Sequence, residues 1–321
     1  MTELAPMLPH LSEVRSLLGE KLPWSPLDFI REISGDGDRA MFADALTHHL
    51  EEQEDLRFLV TLPTGGRIAV FAEILPWDSN FFNYGIAKLN AVFPLEEPLF
   101  RPKADYKQAV SALLEVSRRK GVRYLFATVD PRDLALLRSL GELGFALIET
   151  RAYYHMDLRT FVPTERYPVR AARTEDVARL GATAQQCMNL YDRFHSDPVI
   201  ADEDADRIMY KWVEASISEG FADVTIVPDR PDPTAFCTVK YHKDKWGRWG
   251  MKVAQPVFSA VGPEYRGWYK KIISEVNCHL IDIGAEHAYL ATQLTNKAVV
   301  RVWETLGYRY GKGEHILRIV L

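Results

Sequence analysis

Two stretches of the 321-residue chain align with each other without a gap, at an offset of 163 residues. They are KGVRYLFATVDPRDLALLRSLGELGFALIETRAYYHMDL and IGAEHAYLATQLTNKAVVRVWETLGYRYGKGEHILRIVL. Gly121 matches Gly284, and Gly144 matches Gly307 within a shared Leu-Gly-aromatic motif. Each stretch has the pattern strand, turn, helix, strand, so the repeat predicts two related α/β halves.

The length agrees with this division, because about 150 residues per domain gives about two domains. The polar segment RTFVPTERY, residues 159–167, is the best candidate for a linker. We therefore predict domains at residues 1–160 and 161–321, the first with a helical N-terminal extension. The apolar spacing in MFADALTHHLEE, residues 41–52, is typical of a helix in that extension. The sequence does not indicate a role for residues 1–60.

Between the extension and the first repeat, the patterns favour strands. FLVTLPTGGRIAVFAEIL, residues 58–75, predicts a β-hairpin around a turn with two glycines. The stretch LPWDSNFFNYGIAKLNAVFP, residues 75–94, is aromatic and strand-like. A helix is predicted from Tyr106 to Lys120, because its apolar residues share one face and Gly121 follows it.

Charge and composition exclude several classes of protein. The net charge of −5 argues against a generic nucleic-acid binder, which needs a basic face. The sequence has no apolar run of 18 residues and begins MTELAPMLPHLSEV, so we expect no membrane span and no signal peptide. Cys187, Cys237 and Cys278 have no CxxC spacing, and we expect reduced thiols, no metal site and a cytoplasmic protein.

The stretch that begins VFSAVGPEYRG, at residue 257, carries the strongest chemical signal. A strand predicted at Pro256–Val261 leads to the turn GPEYRG and then to a helix. The unpaired N–H groups at such a helix start, with the helix dipole behind them, bind anions such as pyrophosphate. Gly267 would allow close approach and Arg266 would add charge, although Arg-Gly alone also suits an ordinary turn.

This segment resembles motifs A and B of the GNAT acyltransferase superfamily: a V-x-P-x-x-R-G turn, an asparagine after the next strand, and Leu-Gly-aromatic at the end of the last helix. The resemblance implies an α/β fold of tandem GNAT-like halves, each a central mixed sheet flanked by helices. It also implies acetyl-CoA or another acyl-CoA as co-substrate. The residues that it places at the co-substrate are Phe258, Ser259, Ala260, Val261, Arg266, Gly267, Trp268, Tyr269, Lys270, Asn296 and Trp303.

From about Leu75 to Leu321, the sequence is similar to that of the bacterial TDP-fucosamine N-acetyltransferases. The similarity rests on LPWDSNFF, LGELGFALIETRAYYHMDL, DRFHSDP and YLATQLTNKAVVRVWETLGY. It implies that the acceptor amine belongs to an amino-deoxy sugar nucleotide. The candidate acceptor contacts are Trp77, Asp78, Phe81, Phe82, Arg193 and Phe194. The aromatic residues among them also suit a core, and Arg193 also suits the surface.

Two departures from the superfamily pattern concern the site itself. Trp268 and Tyr269 stand where the turn usually keeps small residues, although Lys270 would restore charge. Trp303 stands where these enzymes commonly have the tyrosine that protonates the departing thiolate. An indole N–H donates a hydrogen bond but is no proton-transfer acid near neutral pH. Trp303 also lies on the apolar face of its helix, so a core role is an alternative.

Three residues are therefore candidates for the acid–base chemistry. Tyr308 and Tyr269 are possible substitute acids, and the sequence context of Tyr269 suggests that it is the more exposed. His195 is the candidate base, because an unperturbed histidine titrates near 6.5. The alternatives are a structural Tyr308 and a loop histidine that bonds to Asp197.

The sequence thus predicts an N-acyltransferase that moves an acetyl or other acyl group from acyl-CoA to a small-molecule amine. We expect no nucleic-acid or membrane partner and allow for a homodimer. The alternatives are transfer of an unusual acyl or aminoacyl group in a biosynthetic pathway, and a catalytically silent protein that binds acyl-CoA or a sugar nucleotide.

Overall fold

A computed structural model of the chain describes residues 3–20, 26–33, 35–47, 56–96, 104–187 and 189–321. The chain divides into two compact units. Unit 1 comprises Met1–Thr150 and Gly313–Leu321, and unit 2 comprises Arg151–Lys312. No helix in the described ranges is long and apolar enough to cross a membrane.

Strands and helices alternate along most of the chain. The strands are Glu3–Pro6 (β1), Arg57–Thr61 (β2), Arg67–Ile74 (β3), Gly85–Pro94 (β4), Val122–Val129 (β5), Ala146–Asp157 (β6), Val169–Ala171 (β7), Val224–Pro228 (β8), Ala235–Lys240 (β9), Val253–Val261 (β10), His287–Gln293 (β11) and Arg309–Val320 (β12). The α-helices are Leu11–Glu20 (α1), Gly35–Thr47 (α2), Pro76–Phe82 (α3), Lys107–Arg119 (α4), Leu134–Glu142 (α5), Val177–Gln186 (α6), Asp202–Ser218 (α7), Trp246–Trp249 (α8), Trp268–Asp282 (α9) and Lys297–Leu306 (α10).

Unit 1 is a mixed sheet with helices on both faces. Its strand order is β1-β2-β3-β4-β5-β12, with β4 and β5 parallel and the other neighbours antiparallel. On one face, α4 and α5 bury an aliphatic core that includes Val110, Leu113 and Leu125. On the other face, α1 packs against Phe71 and Phe93, whose rings stack with centroids 5.6 Å apart.

Unit 2 has the same construction. Its strand order is β6-β11-β10-β9-β8-β7, and β10 and β11 are its parallel pair. Apolar residues of α9 and α10 share a buried core with Cys237 and Val239 of β9. Phe236, on the opposite face of β9, contacts Phe258, and Phe258 stacks on Trp212 of α7 at 5.3 Å. Because successive strand residues point to opposite faces, helices cover both sides of this sheet.

The structure repeats at the offset that the sequence shows. Gly121 and Gly284 both adopt positive φ, at 76° and 90°, where a helix ends and a strand begins. Asp133 and Asn296, also 163 residues apart, cap α5 and α10 by accepting backbone N–H groups. The prediction of two related α/β halves, each a mixed sheet flanked by helices, is confirmed.

The last strand of each half contributes to the other unit. Residues 151–157 of β6 pair with β11 in unit 2, and residues 315–320 of β12 pair with β5 in unit 1. The compact units are therefore not the same as the two sequence halves. The boundary at residue 160 stays a prediction about the halves, and the segment after it lies in unit 2.

Two predictions about secondary structure were wrong. Pro76–Phe82 forms the helix α3 rather than a strand, because proline suits the first turn of a helix and Trp77 and Phe81, four positions apart, then share one face. Glu3–Pro6 is a strand paired with β2, although we expected helix there. The helix expected over residues 41–52 is seen to Thr47, and residues 48–52 lie outside the described ranges.

Candidate functional site

Strand β10 bulges and parts from β11 in the middle of unit 2. Val257 and Phe258 together oppose Thr238 of β9, which is a β-bulge, and the Phe258 N–H donates to Thr238 Oγ1 at 3.0 Å. In the described strands, β10 pairs with β11 only at Val253 and Ala254. Beyond that point the two strands are no longer paired with each other in the ladder, and we call the space between their facing edges the cleft.

The cleft begins beside a polar contact between the two strands. Tyr289 Oη of β11 donates to Gln255 Oε1 of β10 at 2.8 Å. This contact lies one residue beyond the last ladder pair, so it marks where the strands separate.

The turn after β10 leads to a helix start without a side-chain cap. Gly267 precedes α9 with φ 89°, a conformation that L-residues other than glycine rarely adopt. Arg266, Gly267 and Lys270 are exposed. The first turn of α9 therefore has no side-chain cap from its N-cap residue, and Arg266 and Lys270 flank it in the sequence.

The start of this turn is tied to β9. The Gly262 N–H donates to the Thr234 carbonyl at 2.6 Å, and a Cβ at Gly262 would lie 2.7 Å from Thr234 Oγ1. The Thr234 hydroxyl also donates to Glu264 at 3.1 Å. Gly262 is therefore required by close approach, whereas Gly267 is required by its φ angle.

Trp268 packs along the outside of α9. Its ring contacts Tyr265 edge-on at 5.6 Å and Tyr167 at 6.4 Å, and the Lys271 ammonium lies 5.3 Å from its centroid. The large side chain at this position is thus accommodated by an aromatic cluster with a cation–π contact.

Tyr269 points inward but is only half-buried, so it is more exposed than the buried Tyr308, as the sequence context suggests. Its hydroxyl accepts a hydrogen bond from Trp303 Nε1–H at 2.9 Å and also contacts the hydroxyl of Ser259. Burial raises the pKa of Tyr269, although both contacts favour the phenolate. The three residues come from α9, α10 and the bulged strand β10, and they meet beside the cleft.

Trp303 itself is buried, 3% exposed, in the core of unit 2. Its ring packs on Tyr154 at 5.6 Å, and the Tyr154 hydroxyl donates to Glu304 at 3.2 Å. Although Trp303 lies in the core, it also makes a polar contact, because its indole N–H donates to the Tyr269 hydroxyl.

Tyr308 lies elsewhere in the core. Its hydroxyl donates to Asn277 Oδ1 at 2.6 Å, and both residues are buried. Burial raises the pKa of Tyr308. The hydroxyl proton of Tyr308 is thus hydrogen-bonded to a buried amide, which is a structural contact. The role of Tyr308 as an acid stays a prediction.

Asn296 is the N-cap of α10, where its Oδ1 accepts the Val299 N–H at 3.4 Å. Its amide Nδ2 donates to Thr292 Oγ1 at 3.1 Å, at the end of β11. The asparagine thus joins the end of β11 to the start of α10, and its contact with the co-substrate stays a prediction.

The loop between α6 and α7 reaches the ends of both cleft strands. The Cys187 thiol donates to the Val261 carbonyl at 3.3 Å, and Asn189 Nδ2 donates to Gln293 Oε1 at 2.7 Å. In the same loop, the Arg193 guanidinium stacks on the ring of Phe194 at 4.1 Å.

His195 bonds to two carboxylates, neither of them the Asp197 that we considered. Nδ1 lies 2.7 Å from Asp192 and Nε2 lies 3.3 Å from Asp206, with the side chain 2% exposed. Burial alone would lower the pKa of His195, but the two carboxylates outweigh it and raise the pKa. A raised pKa favours the imidazolium, which has no nitrogen lone pair. His195 would therefore have to lose a proton before it could act as the predicted base.

The remaining acceptor candidates belong to unit 1. Trp77 and Phe81 stack on α3 with centroids 6.2 Å apart, and Phe81 meets the buried Phe82 edge-on at 4.8 Å. Asp78 lies in the first turn of the same helix. The described residues of the chain contain no group of three or more histidine, cysteine or acidic side chains that could hold a metal ion.

The sequence did not single out Gln255, Tyr289 and Thr238, which contact one another or β10 at the site, nor Asn277, which holds Tyr308. Each lies in a buried strand or helix, where a polar residue in an apolar pattern is the signal that could have found them. Ser259 was predicted as a co-substrate contact, and its side chain contacts Tyr269.

Comparisons with known proteins show the fold. No protein-family model and no curated protein matches the sequence. A GCN5-related N-acetyltransferase from Sphaerobacter thermophilus matches with TM-score 0.63 and 13% identity over 99% of this chain and 95% of that one. A tandem GNAT protein from the clavulanic acid biosynthesis pathway matches with TM-score 0.53 and 13% identity, over 100% and 98%.

A third structure is the GCN5-related glucosamine N-acetyltransferase region of a fungal multi-domain β-N-acetylglucosaminidase. It matches with TM-score 0.64 and 12% identity, over 99% of this chain and 38% of that one. The chain therefore has the fold of GNAT-family acetyltransferases, including the tandem arrangement predicted from the repeat.

Proposed function

We propose that the chain is an N-acyltransferase that moves an acetyl or other acyl group from acyl-CoA to an amine. The observation that carries this proposal is one arrangement in unit 2. A bulged strand parts from its parallel neighbour and leads, through Arg266 and Gly267, to an uncapped helix start.

The residues present suit the phosphates of coenzyme A. The N–H groups of the first turn of α9 lack a side-chain cap, and Arg266 and Lys270 are exposed beside them. A built Cβ at Gly267 meets nothing within 4 Å, so the approach to the turn is open. Trp268 is held in its aromatic cluster, and Tyr269 points into the unit.

When bound, acyl-CoA supplies an activated thioester. Arg266 and the helix start would hold its phosphates, and Asn296 would offer a polar contact along its arm. The bulge leaves Val257 outside the regular ladder, and a backbone N–H in such a position is a candidate donor to the oxyanion. A thiolate leaves more easily than an alkoxide, since a thiol has a pKa of about 8.5.

For the acceptor, we propose an amino sugar carried on a nucleotide diphosphate. Arg193 suits a diphosphate as a bidentate donor, and its stacking on Phe194 fixes the plane of the guanidinium. The fungal protein of the same fold is described as a glucosamine N-acetyltransferase. An unusual acyl group is the second candidate, because a protein of this fold belongs to the clavulanic acid biosynthesis pathway.

The first experiment is a thermal-shift titration of the full chain with coenzyme A and acetyl-CoA. At about 100 times its dissociation constant, a ligand stabilises a protein by about 2.7 kcal/mol, which raises the melting temperature by several degrees. We expect this shift in the wild type and its loss in Arg266→Ala. Arg309→Ala removes an exposed arginine at the start of β12 and serves as the matched control.

Absence of a shift with both coenzymes would overturn acyl transfer from acyl-CoA. A shift that Arg266→Ala leaves intact would place the ligand away from the proposed turn. After a positive result, amino sugar nucleotides and simple amines are screened by mass spectrometry. A mass increment other than acetyl would identify the second candidate, and binding without transfer to any amine would favour a silent binding protein.

A further inference from the structure

The loop between α6 and α7 connects the ends of the two strands that border the cleft. At the start of the loop, the Cys187 thiol donates to the carbonyl of Val261, the last residue of β10, at 3.3 Å. Two positions later, Asn189 Nδ2 donates to Oε1 of Gln293, the last residue of β11, at 2.7 Å. The loop therefore crosses the end of the cleft, and we call Cys187 and residues 189–201 the strap.

Polar contacts rather than apolar burial hold the strap over the cleft. Asn189 Oδ1 accepts the Tyr191 N–H at 3.1 Å, so the same amide group shapes the strap and ties it to β11. Leu190 and Tyr191 remain exposed, at 62% and 60%. A segment that buries little apolar surface opens locally at a low cost in free energy. The contacts of the strap with other elements therefore decide whether it stays closed.

His195 connects the middle of the strap to α7. Asp192 Oδ1 accepts the N–H groups of Phe194 and His195 at 2.8 and 3.1 Å, which closes a turn within the strap. Asp192 Oδ2 lies 2.7 Å from His195 Nδ1, and Asp206 Oδ1 lies 3.3 Å from His195 Nε2. The first of these ring contacts stays within the strap, whereas the second reaches α7.

Both ring contacts need the protonated form of His195. A carboxylate can only accept, so each ring nitrogen has to carry a hydrogen, and only the imidazolium carries both. A neutral ring keeps one N–H, which the shorter contact with Asp192 retains. The lone pair of Nε2 then faces the Asp206 carboxylate. Deprotonation therefore preserves the turn inside the strap and removes the hydrogen bond to α7.

The charges around the ring favour the protonated form. Asp192 of the strap and Asp206 of α7 raise the pKa of His195, and they outweigh the effect of burial. Three other charged residues close in sequence contact other groups: Arg193 the Phe194 ring, Asp197 the Val199 N–H, and Asp204 the Arg207 guanidinium. By linkage, the protonated ring stabilises the closed strap fully below about pH 6.5, and this stabilisation is lost as the pH rises through the raised pKa.

We propose that the strap closes the end of the cleft, and that His195 is the positioning residue whose protonation fastens the strap to α7. A ligand that enters between the ends of β10 and β11 has to displace the strap, so entry becomes easier as the pH rises. This inference uses contacts of the ligand-free chain and does not depend on the proposed function.

Cys187 reports the opening of the strap, because its thiol is bonded to Val261 when the strap is closed. Cys237 and Cys278 are buried. The full chain without ligand is treated with a pyridyl disulfide, which reacts with thiols at acidic and alkaline pH, and modification of Cys187 is timed by peptide mass spectrometry. Wild type, His195→Gln and Asp206→Asn are compared at pH 5.5 and pH 9.

The matched control is Asp204→Asn, which removes another carboxylate of α7, one that pairs with Arg207 at 2.9 Å. Rates are compared between proteins at the same pH, so the titration of the thiol itself cancels. At pH 5.5 we expect Cys187 to react about tenfold faster in His195→Gln than in the wild type, for each unit by which closure raises the pKa of His195. Asp206→Asn should change the rate in the same direction, and Asp204→Asn should match the wild type.

At pH 9 the wild type and His195→Gln should react at about the same rate. A ratio of the two rates that is the same at pH 5.5 and pH 9 would overturn the role of protonation. If His195→Gln fails to fold, Asp206→Asn decides, because this side chain is 38% exposed and lies on the α7 side of the contact. Wild-type reactivity of Asp206→Asn at pH 5.5 would then refute the fastening of the strap to α7.

Discussion

The hydrogen bond between Tyr308 and Asn277 makes a quantitative prediction about unit 2. The Tyr308 hydroxyl donates to Asn277 Oδ1 at 2.6 Å, with the two residues 3% and 0% exposed. Tyr308→Phe removes the donor and leaves a buried amide oxygen without it, which costs about 1–3 kcal/mol. For a unit of this size, each kcal/mol lowers the melting temperature by about 2–4 °C.

The assay is urea unfolding of four proteins: wild type, Tyr308→Phe, Asn277→Leu and the double variant. Each single change strands one buried polar group, whereas the double change replaces both by apolar side chains. We therefore expect the double variant to be more stable than the sum of the single losses predicts, by at least about 1 kcal/mol. Additive losses would show that the two groups are not coupled, and the reasoning from their burial would be wrong.

Four further predictions concern other parts of the chain. Burial raises the pKa of Asp133 from 3.8 to about 6, so the folded protein loses stability as the pH rises through that range. Asp133→Asn should therefore stabilise the protein in denaturant titrations at pH 7 and have little effect at pH 3.5. The pKa of His195 is raised, so His195 stabilises the fold fully below about pH 6.5, and this stabilisation is lost as the pH rises through the folded-state pKa. His195→Gln should therefore lower the free energy of unfolding more at pH 5.5 than at pH 9. An equal loss at both pH values would contradict this. Gly267→Ala should lower stability by about 1–2 kcal/mol, measured by chemical unfolding, because φ is 89° there. Deletion of Gly313–Leu321 removes a paired strand from unit 1, so hydrogen exchange of β5 should accelerate while β9 stays protected; equal acceleration in both would refute it.

The repeat and the segment around the turn were readable from the sequence because their determinants are local. Gly121 and Gly284 end helices through positive φ, and Asp133 and Asn296 cap the helices that follow, all within a few residues of the structure they specify. The same locality accounts for the error at Pro76–Phe82, where a short amphipathic aromatic run fits a strand and a helix equally well until the proline is weighed.

Long-range pairing was not readable. No local sequence pattern shows that β12 pairs with β5 or that β6 pairs with β11. These strands are far apart in sequence, so their pairing depends on the packing of the whole fold. The partners of His195 were missed for a related reason. Asp197 is nearer to it in sequence than Asp192 or Asp206, but the turn at the start of the loop and the first turns of α7 bring the more distant carboxylates to the ring.

Two departures from the expected pattern, taken one at a time, each argue against acyl transfer. A tyrosine where the turn usually has a small residue would crowd the phosphates, and a tryptophan in place of a tyrosine removes an acid. In the structure, the departures meet, because the hydroxyl of Tyr269 accepts the indole N–H of Trp303 at 2.9 Å. The Tyr269 side chain points away from the turn and places its phenol hydroxyl against Trp303. Compared position by position, the sequence lacks both the small residue of the turn and the tyrosine of α10. The folded chain nevertheless has a phenol beside Trp303, and it comes from α9.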